Sequence, residues 1–570
     1  MKAEEFKRVL QNPLLSNNLM DKGVTIEDDL EISDIVIDFT CNNQFKNITF
    51  SGSVSFANID LKTRIQLYNC TFKKGISFWQ IFSNDVGNTH QIEIINCSLS
   101  KLSIGFCNNI FGISIANNSK IDYLDIYNCS EIHYIHIIDN EYNENISLFN
   151  LNEVKTVFLS GNKNINKCIY ISDSKLNKLH LGFNNITISV DIQKIEVKEV
   201  ILINNESFNK IKFTNGNRIE TLQLEDNITK NQLEITCDSS TKIDNISISG
   251  GDYGHGLVIN GSLEFKSIER INYISSQKNI GPFYFNNLYL DWFILEGTVS
   301  NSSIVLNNIL LSDLTIRNLF NYGVISISGL ICKPNENDKL EIQNSSLGNF
   351  EIMSCDFSLF TQVEIVKSSL VTLKTIQTTW FEPNNLNKLY PISIDSLRTK
   401  REVYRQLKQA MSGQGDTIQS LEFKSLEMKE YKNELSLLPI TDWNWKHISD
   451  RLIMFMNQSN NFGLNWIKPV ILAVIFTLST YIFLSTIVFF KNPILYDYQC
   501  GLIYNLGVYL IQYKYRFFLL LDPIFKLNVI FDCNENYKFS FLEYLVSFVH
   551  RVGIVYFSFQ TVAAFRKYLK

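Results

Sequence analysis

From about residue 44 the chain repeats a short unit of apolar, any, apolar, followed two residues later by Asn, Asp, Ser or Cys. The second apolar residue of successive units falls at Ile104, Ile115, Ile126, Ile137, Leu148, Leu159, Ile171 and Leu181, in steps of 11, 11, 11, 11, 11, 12 and 10. The pattern continues less evenly through Ile203, Phe213, Leu224, Ile235 and Ile248, then Leu306, Ile316, Ile327, Ile342, Ile352 and Ile365. Alternation inside the unit, as in Leu124-Asp125-Ile126 and Leu222-Gln223-Leu224, predicts a short strand with one buried face. The Asn-Asn, Gly-Asn and Asp-Asn pairs that follow suit sharp corners, because Asn and Gly tolerate left-handed backbone. The few residues between strands leave no room for a helix. Two units make a coil of about 22 residues, and stacked strands about 4.8 Å apart give a rod of roughly fifteen coils and 70 Å. The expected fold is therefore mainly β: a right-handed parallel β-helix over 44–380, preceded by a cap at 1–43 in which Phe6, Val9 and Leu10 form a small apolar face. The longer form Leu176-x-x-Leu179-x-Leu181-x-x-Asn184 also fits a leucine-rich-repeat solenoid, which remains the alternative; that architecture spaces its strands 20 to 29 residues apart.

Near 380 the repeat ends and the period changes. Val403, Leu407 and Met411 recur at helical spacing, and Ile418, Leu421 and Met428 share a second face that Ser425 interrupts. Two helices broken at Ser412-Gly413-Gln414-Gly415 are predicted, a hairpin over 395–437. An interfacial segment over 441–466 follows, with Trp443, Trp445 and Trp466 as anchors at the membrane surface. Within it Leu452, Ile453, Phe455 and Met456 point towards lipid. The run Pro469–Phe490 has 22 residues and no charge between Lys468 and Lys491, enough to cross a bilayer core of about 30 Å. A second span is expected at 541–565, completing a membrane domain over 467–570. Glu543, His550 and Arg551 lie in that second span, and ionisable groups there must face protein or water, which makes them candidate functional residues. The charged and aromatic stretch 491–538 is expected to be a loop dipping into the membrane.

A formal net charge of −5 over 570 residues gives no basic footprint, so nucleic acid is not an expected partner. The eleven cysteines are scattered singly without a CxxC pair, which argues against a disulfide framework and a zinc site. Cys107 and Cys129, one coil apart, would stack as small apolar residues. Asn-x-Ser/Thr triplets, as at Asn47, Asn145, Asn185 and Asn227, are expected by-products of the repeat. The opening MKAEEFKRVLQNPLL lacks the apolar core of a signal peptide. Lys446, Arg451 and Lys468 precede the first span and Arg566, Lys567 and Lys570 follow the second. By the positive-inside rule both termini are cytoplasmic, but the loop between the spans also carries Lys491, Lys514, Arg516 and Lys526, so it is the missing export signal that places the solenoid and the C-terminus on the cytoplasmic side of the inner membrane.

Chemistry along the chain is sparse. Residues 251–300 break the rhythm with GDYGHGLVINGS and GPFYFNNLYLDWF, and Tyr284, Tyr289, Trp292 and Phe293 are the candidate binding patch. His133 and His136, an odd number of positions apart, are expected on opposite sides of a strand. No catalytic, metal or cofactor-binding residues are identified. Three functions compete. A membrane-tethered interaction or sensor protein would use the solenoid flank to recognise a protein partner. An oligomeric, channel-like or membrane-disrupting effector would use Glu543, His550 and Arg551 in the bilayer; Asn505-Leu506-Gly507-Val508-Tyr509 is faintly similar to a potassium filter, without its Thr-Val-Gly-Tyr-Gly. A carbohydrate-active β-helix enzyme needs paired carboxylates, whereas Asp125 and Glu234 are isolated, so an enzyme is not the expectation.

The segments Tyr404-Arg405-Gln406-Leu407-Lys408, Gly415-Asp416, Glu422-Phe423-Lys424 and Glu427-Met428 resemble the helical hairpin that precedes the membrane end of bacterial membrane-anchored repeat proteins, pentapeptide-repeat proteins among them. The closing Tyr556-Phe557-Ser558-Phe559-Gln560-Thr561 and Ala564-Phe565-Arg566-Lys567 are similar to the end of the same group, some of whose members are described as ion-channel-like. The resemblance covers about 400–570 and implies membrane anchoring; a homo-oligomer is what the channel-like reading expects. The N-terminal units are not five-residue repeats.

Overall fold

Each apolar-any-apolar unit is a strand paired in parallel with its equivalent one coil later. Ile104 sits on Ile126, Ile126 on Leu148, Leu148 on Ile171 and Ile171 on Ile192. A second column runs Ile115, Ile137, Leu159, Leu181, Leu202 and Leu224. All of these side chains are buried. The computed structural model describes all residues except 11–22, 35, 38–43, 85–89, 186–188, 207–209, 230–231, 334–337, 388–392, 439–444, 492–500, 525, 532–537 and 566–570. The chain divides into two compact units, Met1–Lys388 and Leu389–Lys570.

The first unit is a parallel β-solenoid of about 15 turns with about 22 residues per turn. Strands 11 residues apart in sequence occupy different faces of one coil, as Ile104 and Ile115 do, and no helix separates them. That geometry excludes the leucine-rich horseshoe. A short third ladder joins Thr25–Ile26, Thr49–Phe50, Thr71–Phe72 and Ser98–Leu99. The repeat residue after Leu181 is Leu202, not Ile203, because that coil is one residue shorter. Around 251–300 the coil is widened: Leu257 pairs with Phe283, 26 residues on. The solenoid continues past the expected end at 380, with Asn387 hydrogen-bonded to both backbone groups of Ile365. Helix α1 (Ala3–Leu10) lays Phe6 over Phe45 and Phe50, ring centroids 6.2 Å from each, closing the N-terminal end of the core. The side chains of Val9 and Leu10 lie outside the described residues.

The Asn-containing pairs do two jobs. The first member takes the left-handed backbone at the corner, as at Asn117, Asp139, Gly161, Asn204 and Asp226. The second turns its amide into the core. Asn118, Asn140, Asn162, Asn184, Asn205 and Asn227 are buried and stacked one per coil. Each of the first five donates an Nδ2–H to the Oδ1 of the next at 2.9–3.2 Å. The ladder also takes backbone carbonyls such as Ile137 O, so polar groups at the corners are satisfied without water. Cys107 and Cys129 are buried free thiols. Cys41, Cys500 and Cys533 lie outside the described residues.

The second unit is helical. Helices α2 (Ile394–Gly413) and α3 (Thr417–Leu437) form the hairpin. Ser393 caps the first by a reciprocal bond with Ser396, and Asp416 caps the second by accepting from Gln419 N. Val403, Leu407 and Met411 are buried as expected. On α3 the buried face differs from the expected one. Ile418 is exposed, and Phe423, Ser425, Glu427, Glu434 and Leu435 turn inward. The reason is electrostatic: α2 presents Lys408 to Glu427 at 2.7 Å, and Arg398 and Arg401 to Glu434 at 2.8 and 2.7 Å.

Helix α4 (Trp445–Asn457) and a 3-10 turn (Gln458–Gly463) lead to α5 (Ile467–Lys491). Then come α6 (Leu502–Gln512), α7 (Tyr515–Leu520), α8 (Leu527–Phe531) and α9 (Phe541–Phe565). By length and composition α5 and α9 are each long and apolar enough to cross a membrane. The stretch 491–538, expected as a loop, therefore contains three short helices among its described residues. Leu520, Leu527 and Ile530 pack on Tyr481, Leu484 and Val488 of α5, because alternate apolar residues there have a helix face to bury.

Candidate functional site

Outward positions of the solenoid strands carry stacked rings. Trp79, Phe106, Tyr127 and Phe149 follow one another along one face, with centroids 4.4, 5.8 and 5.2 Å apart. Trp79 and Phe106 are well exposed. Gly105 pairs in register with both Trp79 and Tyr127, and a Cβ there would lie 2.5 Å from the Tyr127 ring. The missing side chain lets the tyrosine lie across the strand. A second column joins Phe111, Tyr134, His136, Phe158 and His180, with successive separations of 5.5, 4.4, 5.7 and 4.5 Å. Half-burial among these rings lowers the pKa of His136 and, with Lys178 nearby, of His180, so both favour the neutral form. His133 also points outward, against Phe111 and within 3.0 Å of the Lys155 ammonium. It does not oppose His136 because Glu131, left-handed, starts a corner there and the alternation begins only at Tyr134.

The sequence-based patch does not assemble. Phe293 is buried against Phe285, centroids 5.1 Å apart, and belongs to the core. Its neighbour Trp292 faces out beneath the Arg270 guanidinium, 4.6 Å from the ring. Tyr289 receives a hydrogen bond from Lys333. Tyr284 precedes, and Tyr289 follows, the left-handed corner at Asn287, so the two lie on different faces.

In the helical unit α5 and α9 pack antiparallel. Glu543, fully buried, accepts from Lys491 at 2.6 Å and from both the N–H and hydroxyl of Ser540. His550 Nε2 lies 3.3 Å from Thr477 Oγ1 and its ring stacks on Phe476. Arg551, one position on, is only partly buried. The three are not one constellation: Glu543 holds one end of the helix pair, His550 fills its middle, and Arg551 turns towards a different side. At the other end Trp466 stacks on Phe565 at 4.8 Å and Asn460 bonds Gln560. Trp445 is almost fully exposed, and Trp443 lies outside the described residues. Leu452, Ile453, Phe455 and Met456 are exposed on α4, the face expected to meet lipid. Asn505–Tyr509 lie inside α6, where helical hydrogen bonds occupy the carbonyls that a filter would need. Arg516, within the stretch expected to be a loop, is buried 4.0 Å from the Tyr513 ring centroid.

The aromatic columns occupy outward positions, which the apolar alternation of the repeat does not mark. Their signal was present: His136, Phe158 and His180 recur at 22-residue intervals, as do Tyr127 and Phe149. Among the described residues no three His, Cys, Asp or Glu side chains are grouped to hold a metal ion. Compared with models of known protein families, with curated proteins and with solved structures, the chain has no match.

Proposed function

We propose that this chain is a membrane-tethered β-solenoid that recognises a protein partner through the aromatic columns of its N-terminal coils. The solenoid and C-terminus lie on the cytoplasmic side of the inner membrane, and α5 and α9 form the anchor. The observation that carries the reading is the run Trp79, Phe106, Tyr127 and Phe149. Trp79 and Phe106 are exposed and Tyr127 and Phe149 half-buried beside them, a continuous ring surface of the kind that marks interaction sites, since rings supply large contact area at little conformational cost. The rod repeats them along one face, which suits an elongated partner. The channel reading needs polar groups along an aqueous path; within one chain Glu543 and His550 are instead taken up between α5 and α9.

The test is chemical crosslinking in native membranes followed by capture of the intact chain. A variant carrying Trp79→Ser, Phe106→Ser and Phe149→Ser is compared with wild type and with Lys374→Ser, an exposed position in the last coils of the rod. A discrete partner should accompany wild type and the Lys374 control and be lost from the triple variant. An unchanged set of captured proteins would sink the proposal.

A further inference from the structure

A cavity of about 180 Å³ opens between α3 and α4, lined by Lys432, Leu435, Ser436, Arg451, Met454 and Phe455. Its lining is mostly apolar and includes two cations and a hydroxyl. The Arg451 guanidinium is fixed by donating Nη2–H to the carbonyls of Leu435 and Leu438, at the end of α3. Lys432 Nζ donates to Gln458 Oε1 at 2.7 Å, and Lys468 Nζ donates to the carbonyl of the same Gln458 at 3.0 Å. Among the described residues neither lysine lies within ion-pair distance of a carboxylate. The nearby Asp450 accepts from the Tyr431 hydroxyl at 2.7 Å.

These contacts fix the level of the cavity. Lys468 lies in the first turn of α5 and marks where that helix meets the membrane surface. Lys432 shares its anchor at Gln458, so the cavity lies at the depth of lipid phosphates. The exposed Leu452, Ile453, Phe455 and Met456 of α4 give the same level from the apolar side. We propose that the cavity binds the phosphate of an anionic phospholipid, with Lys432 and Arg451 facing the phosphate oxygens and an acyl chain running along Phe455. Charge selects the headgroup, and the apolar wall selects a lipid over a free phosphate. The inference rests on α5 spanning the membrane.

Native mass spectrometry of the detergent-extracted full chain, offered equimolar phosphatidylglycerol and phosphatidylcholine, tests it. Arg451 is left intact because it ties down the end of α3; Lys432→Gln and the Lys432→Gln/Lys468→Gln pair are used instead. Wild type should retain one phosphatidylglycerol in preference to phosphatidylcholine. Each lost cation should weaken that retention about fivefold, following about 1 kcal/mol per basic residue near the surface. Inorganic phosphate in excess should not displace the lipid. Equal retention of both lipids, an unchanged preference in the double variant, or displacement by phosphate would each overturn the site. Incorporation of the chain into phosphatidylcholine nanodiscs separately reports whether α5 and α9 enter a bilayer, so a failed site is distinguishable from a failed anchor.

Discussion

Replacing Asn162 by Ala removes one rung from the middle of the interior ladder. Its Oδ1 accepts from the backbone N–H of Asn140 at 3.2 Å and from Asn140 Nδ2 at 3.1 Å. Its Nδ2 donates to Ile137 O at 2.8 Å and to Asn184 Oδ1 at 3.0 Å. Asn184 Oδ1 keeps the backbone N–H of residue 162. Three groups therefore lose a partner in a fully buried site: two donors on Asn140 and the carbonyl of Ile137. At about 1 kcal/mol each as a lower bound, the cost is about 3 kcal/mol, or roughly a hundredfold in the local opening equilibrium. Because each coil contacts only its neighbours, the damage should be local. Hydrogen exchange read by mass spectrometry on the intact chain is the assay. Amides between about 115 and 185 should lose about two decades of protection, while Val324–Ser328 should not change. Asn150→Gly is the control, since Asn150 is an exposed corner at φ 53° where Gly fits. A loss below about 1 kcal/mol at Asn162, or equal losses in both variants, would refute the account of the ladder.

Three further outcomes follow. Glu434→Ala should destabilise the hairpin by about 1–2 kcal/mol and not more, because Arg398 and Arg401 are partly exposed and can be rehydrated; thermal unfolding followed by helix circular dichroism reads it. Gly553→Ala should loosen the α5–α9 pair, since a Cβ there would lie 2.4 Å from Phe476 Cε1; Phe476→Leu should restore it, measured as detergent-resistant thermal stability. His136 and His180 have folded pKa values below their ordinary 6.5, so the unfolded chain binds protons first as pH falls. Their contribution to stability is present above about pH 6.5 and is lost as pH falls through the folded values. The melting temperature should drop between pH 7 and 5, and the drop should shrink in His136→Gln/His180→Gln.

What was readable in the sequence follows from which interactions are periodic. Ile115, Ile137, Leu159 and Leu181 fix the solenoid because each strand repeats the same burial, so period and coil length emerge together. The Asn pairs were visible as corners, but the inward turn of Asn162 depends on the coils above and below, which a linear pattern does not contain. Phe293 was misplaced because an aromatic cluster says nothing of which ring faces in; the strand Trp292–Val299 alternates, and Phe293 takes the buried side. The α3 face was misread for another reason. Apolar periodicity cannot foresee that Glu427 and Glu434 are buried to meet cations of α2. In 491–538 the charges suggested a loop, whereas Arg516 is covered by Tyr513 and Tyr509.

The most direct test of a solenoid held to a membrane by a pair of spans is sidedness. Lys446, in the exposed first turn of α4, and Lys538, exposed just before α9, would be replaced one at a time by cysteine. Intact cells are then treated with a membrane-impermeant maleimide, and the labelling is compared with that after lysis. The account predicts that Lys538→Cys is labelled in intact cells and Lys446→Cys only after lysis. Labelling of both positions from the same side would contradict it.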